Sequence, residues 1–419
     1  VARQHTVGFE SGINSAGALT YDGENNMATG VLFDVNNAGT VSYQNTVARN
    51  GGYAMSCAPG AGNYMQYRDV SHTSGEPMYC RFYYRQSAAA SQLQQIFQWR
   101  LDGITMGDLR VGTDGAISLR DNAVAVIGSS AAGAIEPNRW YRIEAKLIFT
   151  TGSSIGTLEA TLANEYDDAV TFASSSSATV GQPTVLNNAT HRTGHLTTGE
   201  TAATVYIDDV AFNDHTGTAQ NGYPGPGNVT LLLPIADFSK GTGWVGGAAG
   251  ATLYDGVNNV PPLGTTAAAG TDLTNIKNAT NLGATAWYIA TCQSLEAAGA
   301  PAGSTHRVIQ ALGRGSADDV TGTNNGLVWN LHDSAPTVAG DLEMTSVNGS
   351  EPTSWKTIRT TPQYMPNLAS SAATLVAVGR EAGATPTHIW DQMGLLTEWL
   401  PPRVQIASTR AVRHPLRLG

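Results

Sequence analysis

The sequence predicts an all-β protein built as two tandem jelly-roll β-sandwich domains joined by a Gly/Pro-rich linker. Three observations predict it. Apolar residues alternate with polar ones over short runs that recur about every 8 to 12 residues, the spacing of antiparallel sandwiches. Only 13% of the 419 residues are charged while 47 are glycine, a mixture that suits short strands and many turns. A single composition break, NDHTGTAQNGYPGPGN at Asn213 to Asn228, divides the chain nearly in half.

Taken in order, Met78 to Arg85, Gln94 to Arg100, Asp108 to Val111, Ala116 to Asp121, Tyr141 to Leu147, Thr157 to Leu162, Val170 to Ala173 and Thr204 to Val210 read as strands separated by turn residues such as Thr113-Asp114-Gly115. Ile96, Phe97 and Trp99 follow no helix cap, so that segment reads as a strand entering a core. The second half repeats the theme from Val229 to Leu233, Ala286 to Cys292, Arg307 to Leu312, Gly326 to Leu331, Thr353 to Ile358, Thr374 to Gly379 and His388 to Leu400. A local repeat, Leu19 to Asn26 against Thr252 to Asn259, aligns Phe9 with Phe238 as matching anchors. The expected boundaries are 1–214 for the first sandwich, 215–228 for the linker, 229–400 for the second sandwich and 401–419 for a basic tail carrying Arg403, Arg410, Arg413 and Arg417.

The formal net charge of −10 gives no basic field for phosphate backbones, so nucleic acid is not an expected partner. The first residues lack a basic start and apolar core, and no run approaches 18 apolar residues, so neither ordinary export nor membrane insertion is expected; a leader cleaved before residue 1 would leave the same picture. Cys57, Cys80 and Cys292 have no metal-type spacing, and their odd number opposes a full disulfide framework.

Phe9-Glu10-Ser11-Gly12, Gly52-Tyr53-Ala54-Met55, Asn138 to Ala145 and Tyr206-Ile207-Asp208-Asp209-Val210 follow one another through the first half, which resembles the concanavalin A-like, laminin G-like jelly-roll superfamily. The second half, from Thr230 to Pro234 through Gly241-Thr242-Gly243-Trp244 and Tyr254 to Asn259, is similar to segments of tailed-bacteriophage minor tail proteins. Together these resemblances imply a non-catalytic virion structural protein, in the tail or decorating the capsid. It would be assembled in host cytoplasm with other virion proteins, as a homo-oligomer, and would touch host-surface glycans. The alternatives are a secreted or cell-surface bacterial carbohydrate-binding module and a polysaccharide-degrading tail depolymerase.

Glycosidases need two facing carboxylates, and the Glu-x-Asp-x-x-Glu string of jelly-roll glucanases is absent; Glu159, Glu165, Asp167 and Asp168 are the nearest cluster. No catalytic residues are therefore assigned. Aromatic rings stack on sugars, and Trp244, between Gly243 and a Gly-rich loop, is the expected exposed platform, followed by Tyr64, Tyr83 and Tyr84. By the resemblance, Glu10 and Asp208 or Asp209 would meet where the first and last strands join and hold a calcium ion, with Asp237 and Asp391 as weaker counterparts. His191 and His195 are expected on a surface loop.

Overall fold

A computed structural model of the protein describes residues 3–9, 33–35, 41–60, 62–67, 72–163, 169–183, 191–196, 200–241, 243–246, 252–258, 276–278, 286–317, 326–331, 343–346, 356–359, 362–366, 368–380 and 388–402. Residues 403–419 of the basic tail, Glu10, the Leu19 to Asn26 copy of the repeat and Glu165, Asp167 and Asp168 lie outside them.

The first half contributes β1 (Arg3–Val7), β2 (Phe33–Val35), β3 (Val41–Gln44), β4 (Ala54–Cys57), β5 (Asn63–Tyr67), β6 (Met78–Gln86), β7 (Gln94–Leu101), β8 (Ile104–Val111), β9 (Ile117–Asp121), β10 (Val126–Ser129), β11 (Tyr141–Ile148), β12 (Ile155–Ala163), β13 (Ala169–Thr179), β14 (His191–His195) and β15 (Val205–Asn213). They form two antiparallel sheets, in the orders β13-β12-β11-β6-β15-β4-β3, with β1 also on β15, and β10-β9-β8-β7-β14-β5-β2. Their inner faces share one core, to which the alternation of β6 gives Cys80, Phe82 and Tyr84, that of β11 gives Ile143, Ala145 and Leu147, and β7 adds Phe97 and Trp99. Sequence alternation thus dictates the packing, because in a strand every second side chain meets the opposite sheet.

The second half contributes β16 (Asn228–Leu232), β17 (Pro234–Lys240), β18 (Trp244–Gly246), β19 (Ile276–Asn278), β20 (Ala286–Cys292), β21 (Thr305–Ala317), β22 (Gly326–Leu331), β23 (Glu343–Ser346), β24 (Lys356–Arg359), β25 (Gln363–Tyr364), β26 (Thr374–Arg380) and β27 (His388–Leu400). One sheet is built on the long pair β21 and β27, with β18, β19 and β24 extending it, β16 on β27 and β25 on β21; the other runs β17-β20-β26-β22-β23. Tyr288, Ala290, Val376 and Val378 from one sheet pack on Ile309, Trp390, Met393 and Leu395 from the other. The chain is all-β, two antiparallel sandwiches in tandem.

Two expectations fail here for physical reasons. Phe238 is not the counterpart of Phe9: Phe9 is buried, whereas Phe238 sits on the irregular edge strand β17 and is 46% exposed. His191 and His195 are not on a surface loop; both are fully buried on β14, which is hydrogen-bonded between β5 and β7. The His191 ring packs edge-on to Trp99, and its Nε2 lies 2.8 Å from Nε2 of His72. The Nδ1 of His195 lies 2.7 Å from Nε2 of Gln94.

Between Asn213, which ends β15, and Asn228, which begins β16, the Gly/Pro segment forms no helix or strand, but it is pinned to the sheet beneath it. Tyr223 donates to Glu159 (2.6 Å), the Gly225 amide donates to Glu144 (2.6 Å), and Arg81 and Arg307 donate to the carbonyls of Gly225 and Pro226. It thereby lies on the outer face of the eight-stranded sheet, and the second sandwich docks there. The centre of that junction is Glu398, fully buried on β27 and ion-paired to Arg3, to Arg81 at 3.0 Å and to Arg307 at 3.2 Å. Burial opposes the charge of Glu398, but the guanidiniums of Arg3, Arg81 and Arg307 outweigh it and hold the carboxyl well below the usual carboxylate range. Gly227 passes so close that a Cβ there would overlap both Glu398 and Arg81.

Removing one member of such a buried ion network leaves uncompensated charge, at a cost of ~3–5 kcal/mol. Glu398→Gln is therefore expected to lower the unfolding free energy from urea denaturation by an amount of that order, read as a lower midpoint, and an unchanged midpoint would disprove the role assigned to the carboxylate. A second expectation concerns acid. Desolvation lowers His72 from 6.5 to about 3 and His195 and His306 to about 4, so the folded state keeps these rings neutral while the unfolded chain protonates them. Their contribution is complete above pH 6.5 and is lost as pH falls towards 4, with Glu398 adding to the loss below about 4.5. Unfolding free energy measured between pH 7.5 and 4 should fall steadily, and a flat profile would contradict the buried histidines.

Candidate functional site

The outer faces of the first sandwich have separate fates. On the eight-stranded sheet, β15 reads Tyr-Ile-Asp-Asp-Val, and simple alternation would send Asp208 and Asp209 to opposite sides. A bulge between Asp208 and Ala211 resolves this. Asp209 takes a left-handed φ of 47°, which aspartate tolerates better than most residues, and Val210 and Phe212 return to the core.

Both aspartates are thereby engaged by N–H donors, and Asp209 reaches across the junction. Asp208 accepts the amides of Arg49 (3.0 Å) and Asp209 (2.8 Å). Asp209 accepts the Arg49 guanidinium (2.6 Å) and the Val229 amide (2.8 Å), joining the two sandwiches. A cation would find these oxygens already facing N–H donors, so the expected calcium role of Asp208 and Asp209 is corrected to a structural one. Asp237 is likewise engaged, accepting the amides of Leu253 and Tyr254 and, at 2.5 Å, the Tyr288 hydroxyl. Asp391 falls on β27, with its side chain outside the described residues. Among the described residues no cluster of three or more metal-ligating side chains occurs.

Three of the four expected platform aromatics are also corrected. Trp244 is 4% exposed and packs in the second core 6.2 Å from the Tyr288 ring, because β18 is paired to β19 and turns the indole inward. Tyr84 is on the inward register of β6, fully buried, donating to Gln86 at 3.0 Å. Tyr83 points outward but beneath the linker, accepting the Gly227 amide at 3.3 Å, with the Arg49 guanidinium 3.4 Å over its ring. Tyr64 alone stays at a surface: half-buried on β5, it carries the Arg192 guanidinium 4.5 Å above its ring.

Tyr64 belongs to the outer face of the seven-stranded sheet, and the strand register shows what surrounds it. Directly paired residues share a face, and successive pairings place Asp34, Gln66, Arg192, Gln98, Asp108 and Arg120 in one row across β2, β5, β14, β7, β8 and β9. From β5 to β9 this row spans ~19 Å at the usual strand spacing. Gln95, Arg110 and Ser118 form a second register line beside it. Gln95, Gln98, Asp108 and Ser118 are buried between half-exposed Tyr64, Gln66, Arg100, Arg110, Arg120 and Arg192, so the face has a polar floor and charged sides.

Hydrogen bonds hold the floor in place. Arg110 makes two contacts of 2.9 Å with Asp108, Gln95 donates to Asp108 at 2.7 Å, and Arg192 donates to Gln66 at 3.0 Å. Gln98 donates to Thr105 at 2.8 Å, while its Oε1 has no partner although the residue is only 9% exposed. The Nε of Arg120 is also without a partner. This is a preorganised array of amide and guanidinium groups beside an aromatic ring, suited to hold hydroxyls or anions. Asp108 is its one carboxylate with a described side chain, fewer than the pair that acid–base glycoside cleavage requires.

No sequence motif marked this face, since its members lie on separate strands and meet only through register. The available signal was the polar alternates inside strands that otherwise read apolar, as in Gln95, Gln98 and Arg100 of β7.

No family model matches the chain, and no curated protein does. Distant likenesses occur among solved structures. The cellulose-induced protein Cip1 is 15% identical, covering 50% of this chain and 96% of its own, with a TM-score of 0.34. The CBM22-1–CBM22-2 tandem domain of Xyn10C from Paenibacillus barcinonensis is 13% identical over 94% of this chain and 97% of its own, TM-score 0.26. Lectin I-B4 from Griffonia simplicifolia is 10% identical over 51% and 100%, TM-score 0.31. Likenesses at this level do not carry a function from one chain to another.

Because the oxygens of Asp208 and Asp209 are engaged by N–H donors, millimolar calcium is expected to shift the melting temperature by less than about 1 °C, and chelator to leave it unchanged. A calcium-dependent rise of several degrees would restore the metal site.

Proposed function

We propose that the protein is a non-catalytic carbohydrate-binding protein that holds a glycan chain along the outer face of the seven-stranded sheet. The observation that carries this reading is the continuous polar row from Gln66 to Arg120, with the buried Gln98 Oε1 unsatisfied at its centre. A buried carbonyl oxygen without a donor is costly to the free protein, and a ligand hydroxyl placed over the floor removes that cost. Tyr64, backed by Arg192, supplies a flat surface for a sugar ring, and the length of the row suits a chain rather than a single sugar.

The test is affinity electrophoresis or calorimetry of the whole chain against a panel of plant, algal and bacterial polysaccharides. Tyr64→Ala and Gln98→Ala are each expected to weaken binding by roughly tenfold, as a lost stacking contact and a lost hydrogen bond of ~1–1.5 kcal/mol imply. Binding unaffected by both changes would refute the assignment to this face.

The virion role is a second reading. It is favoured by the buried ion network that fastens the two sandwiches, a property that suits a component of an assembly. Its test is whether the protein co-sediments with washed particles at fixed stoichiometry; its absence from them would remove this reading without touching glycan binding.

A further inference from the structure

The chain is acidic, with 33 Asp and Glu against 23 Lys and Arg, yet the outer face of the seven-stranded sheet gathers Arg100, Arg110, Arg120 and Arg192. Against them stand Asp108 and, at the end of the row on β2, the position of Asp34. Asp108 is consumed by Arg110 in a two-pronged contact. Among the described residues, Arg100, Arg120 and Arg192 have no ion pair with a carboxylate.

Their surroundings sharpen the point. Burial, and then the neighbouring charge of Arg100, disfavour the cationic form of Arg192, an effect offset in part by Tyr64. Arg192 is paired with Gln98, two residues from Arg100 on β7, so two like charges lie on neighbouring strands where, among the described residues, neither has a carboxylate partner, while the Nε of Arg120 is shielded and unbonded across the same row. Self-repulsion of this kind is relieved by an anion, and guanidinium forks match carboxylate and sulfate oxygens in two-point geometry. A neutral glycan would satisfy Gln98 but leave the arginines uncompensated.

Resting on the glycan-binding reading, we propose that the ligand is a polyanionic polysaccharide whose carboxylate or sulfate groups are gripped by Arg192 with Arg100 on one side of Gln98 and by Arg120 on the other. The acidic balance of the rest of the chain then repels such polymers elsewhere and confines them to this face.

The experiment measures binding of the full chain to polygalacturonate, to the same polymer with its carboxyls reduced to alcohols, to dextran sulfate and to neutral dextran, at low and at 0.3 M salt. Polygalacturonate is expected to bind, its reduced form to bind at least tenfold more weakly, and Arg192→Gln and Arg120→Gln each to cost roughly tenfold and to flatten the salt dependence. Arg85→Gln, the same charge change on the opposite sheet, should leave binding intact. Binding of dextran sulfate alone, lost in Arg192→Gln, assigns the anion as a sulfate ester and upholds the proposal. Equal affinity for charged and reduced polymers, lost in Tyr64→Ala, overturns the anionic ligand and leaves glycan binding standing. If no polymer depends on any residue of this face, both fall.

Discussion

One buried carboxylate, Glu398, organises the relation between the two halves. Arg3, at the first strand, Arg81, on the outer face of the eight-stranded sheet, and Arg307, in the second sandwich, all converge on it. An ion pair without water is not in itself a strong source of stability, since desolvation offsets much of the attraction. Its effect is to fix how the halves dock, because a shift of β27 away from Arg3 and Arg81 would leave fully buried charges without their partner. Arg49 and Asp209 reinforce it, as Asp209 also accepts the amide of Val229 at the start of the second sandwich.

That constraint decides which surface is left for function. Both outer faces of the first sandwich are polar, as strand alternation requires, but the eight-stranded sheet spends its polar groups on the linker and the second sandwich. Tyr79, Arg81, Tyr83, Glu144 and Glu159 all contact the linker or its neighbours. The seven-stranded sheet keeps its polar face clear of the junction. A segment that composition marks as a loose connection is in fact a fastened strap, because its carbonyls and amides meet charged side chains on the sheet beneath it.

The fold was legible because it rests on local alternation: Tyr141, Ile143, Ala145 and Leu147 point inward just as their spacing requires. Trp244 misled because neighbouring glycines suggest a loop, whereas three residues of strand pairing suffice to turn its ring inward. The purpose of the Asp208-Asp209 pair is structural rather than the calcium role the resemblance implies, because it depends on a bulge and on partners from residue 49 and residue 229 that no local pattern contains. The buried histidines were hidden for the same reason, since β14 gains its place only between β5 and β7.

The row on the seven-stranded sheet is the extreme case of such non-local information. Gln66, Arg192, Gln98, Asp108 and Arg120 are scattered over more than half of the first domain and carry no motif, yet antiparallel pairing aligns them within one face. A sheet needs its outer positions only to be tolerant of water, a requirement that serine or threonine would meet. Long amides and guanidiniums, with one carbonyl oxygen and one guanidinium nitrogen buried and unbonded, exceed that requirement and add desolvation and repulsion. Stability alone therefore gives no reason for this face, and the ligand proposed for it would supply the missing donor and the missing negative charge.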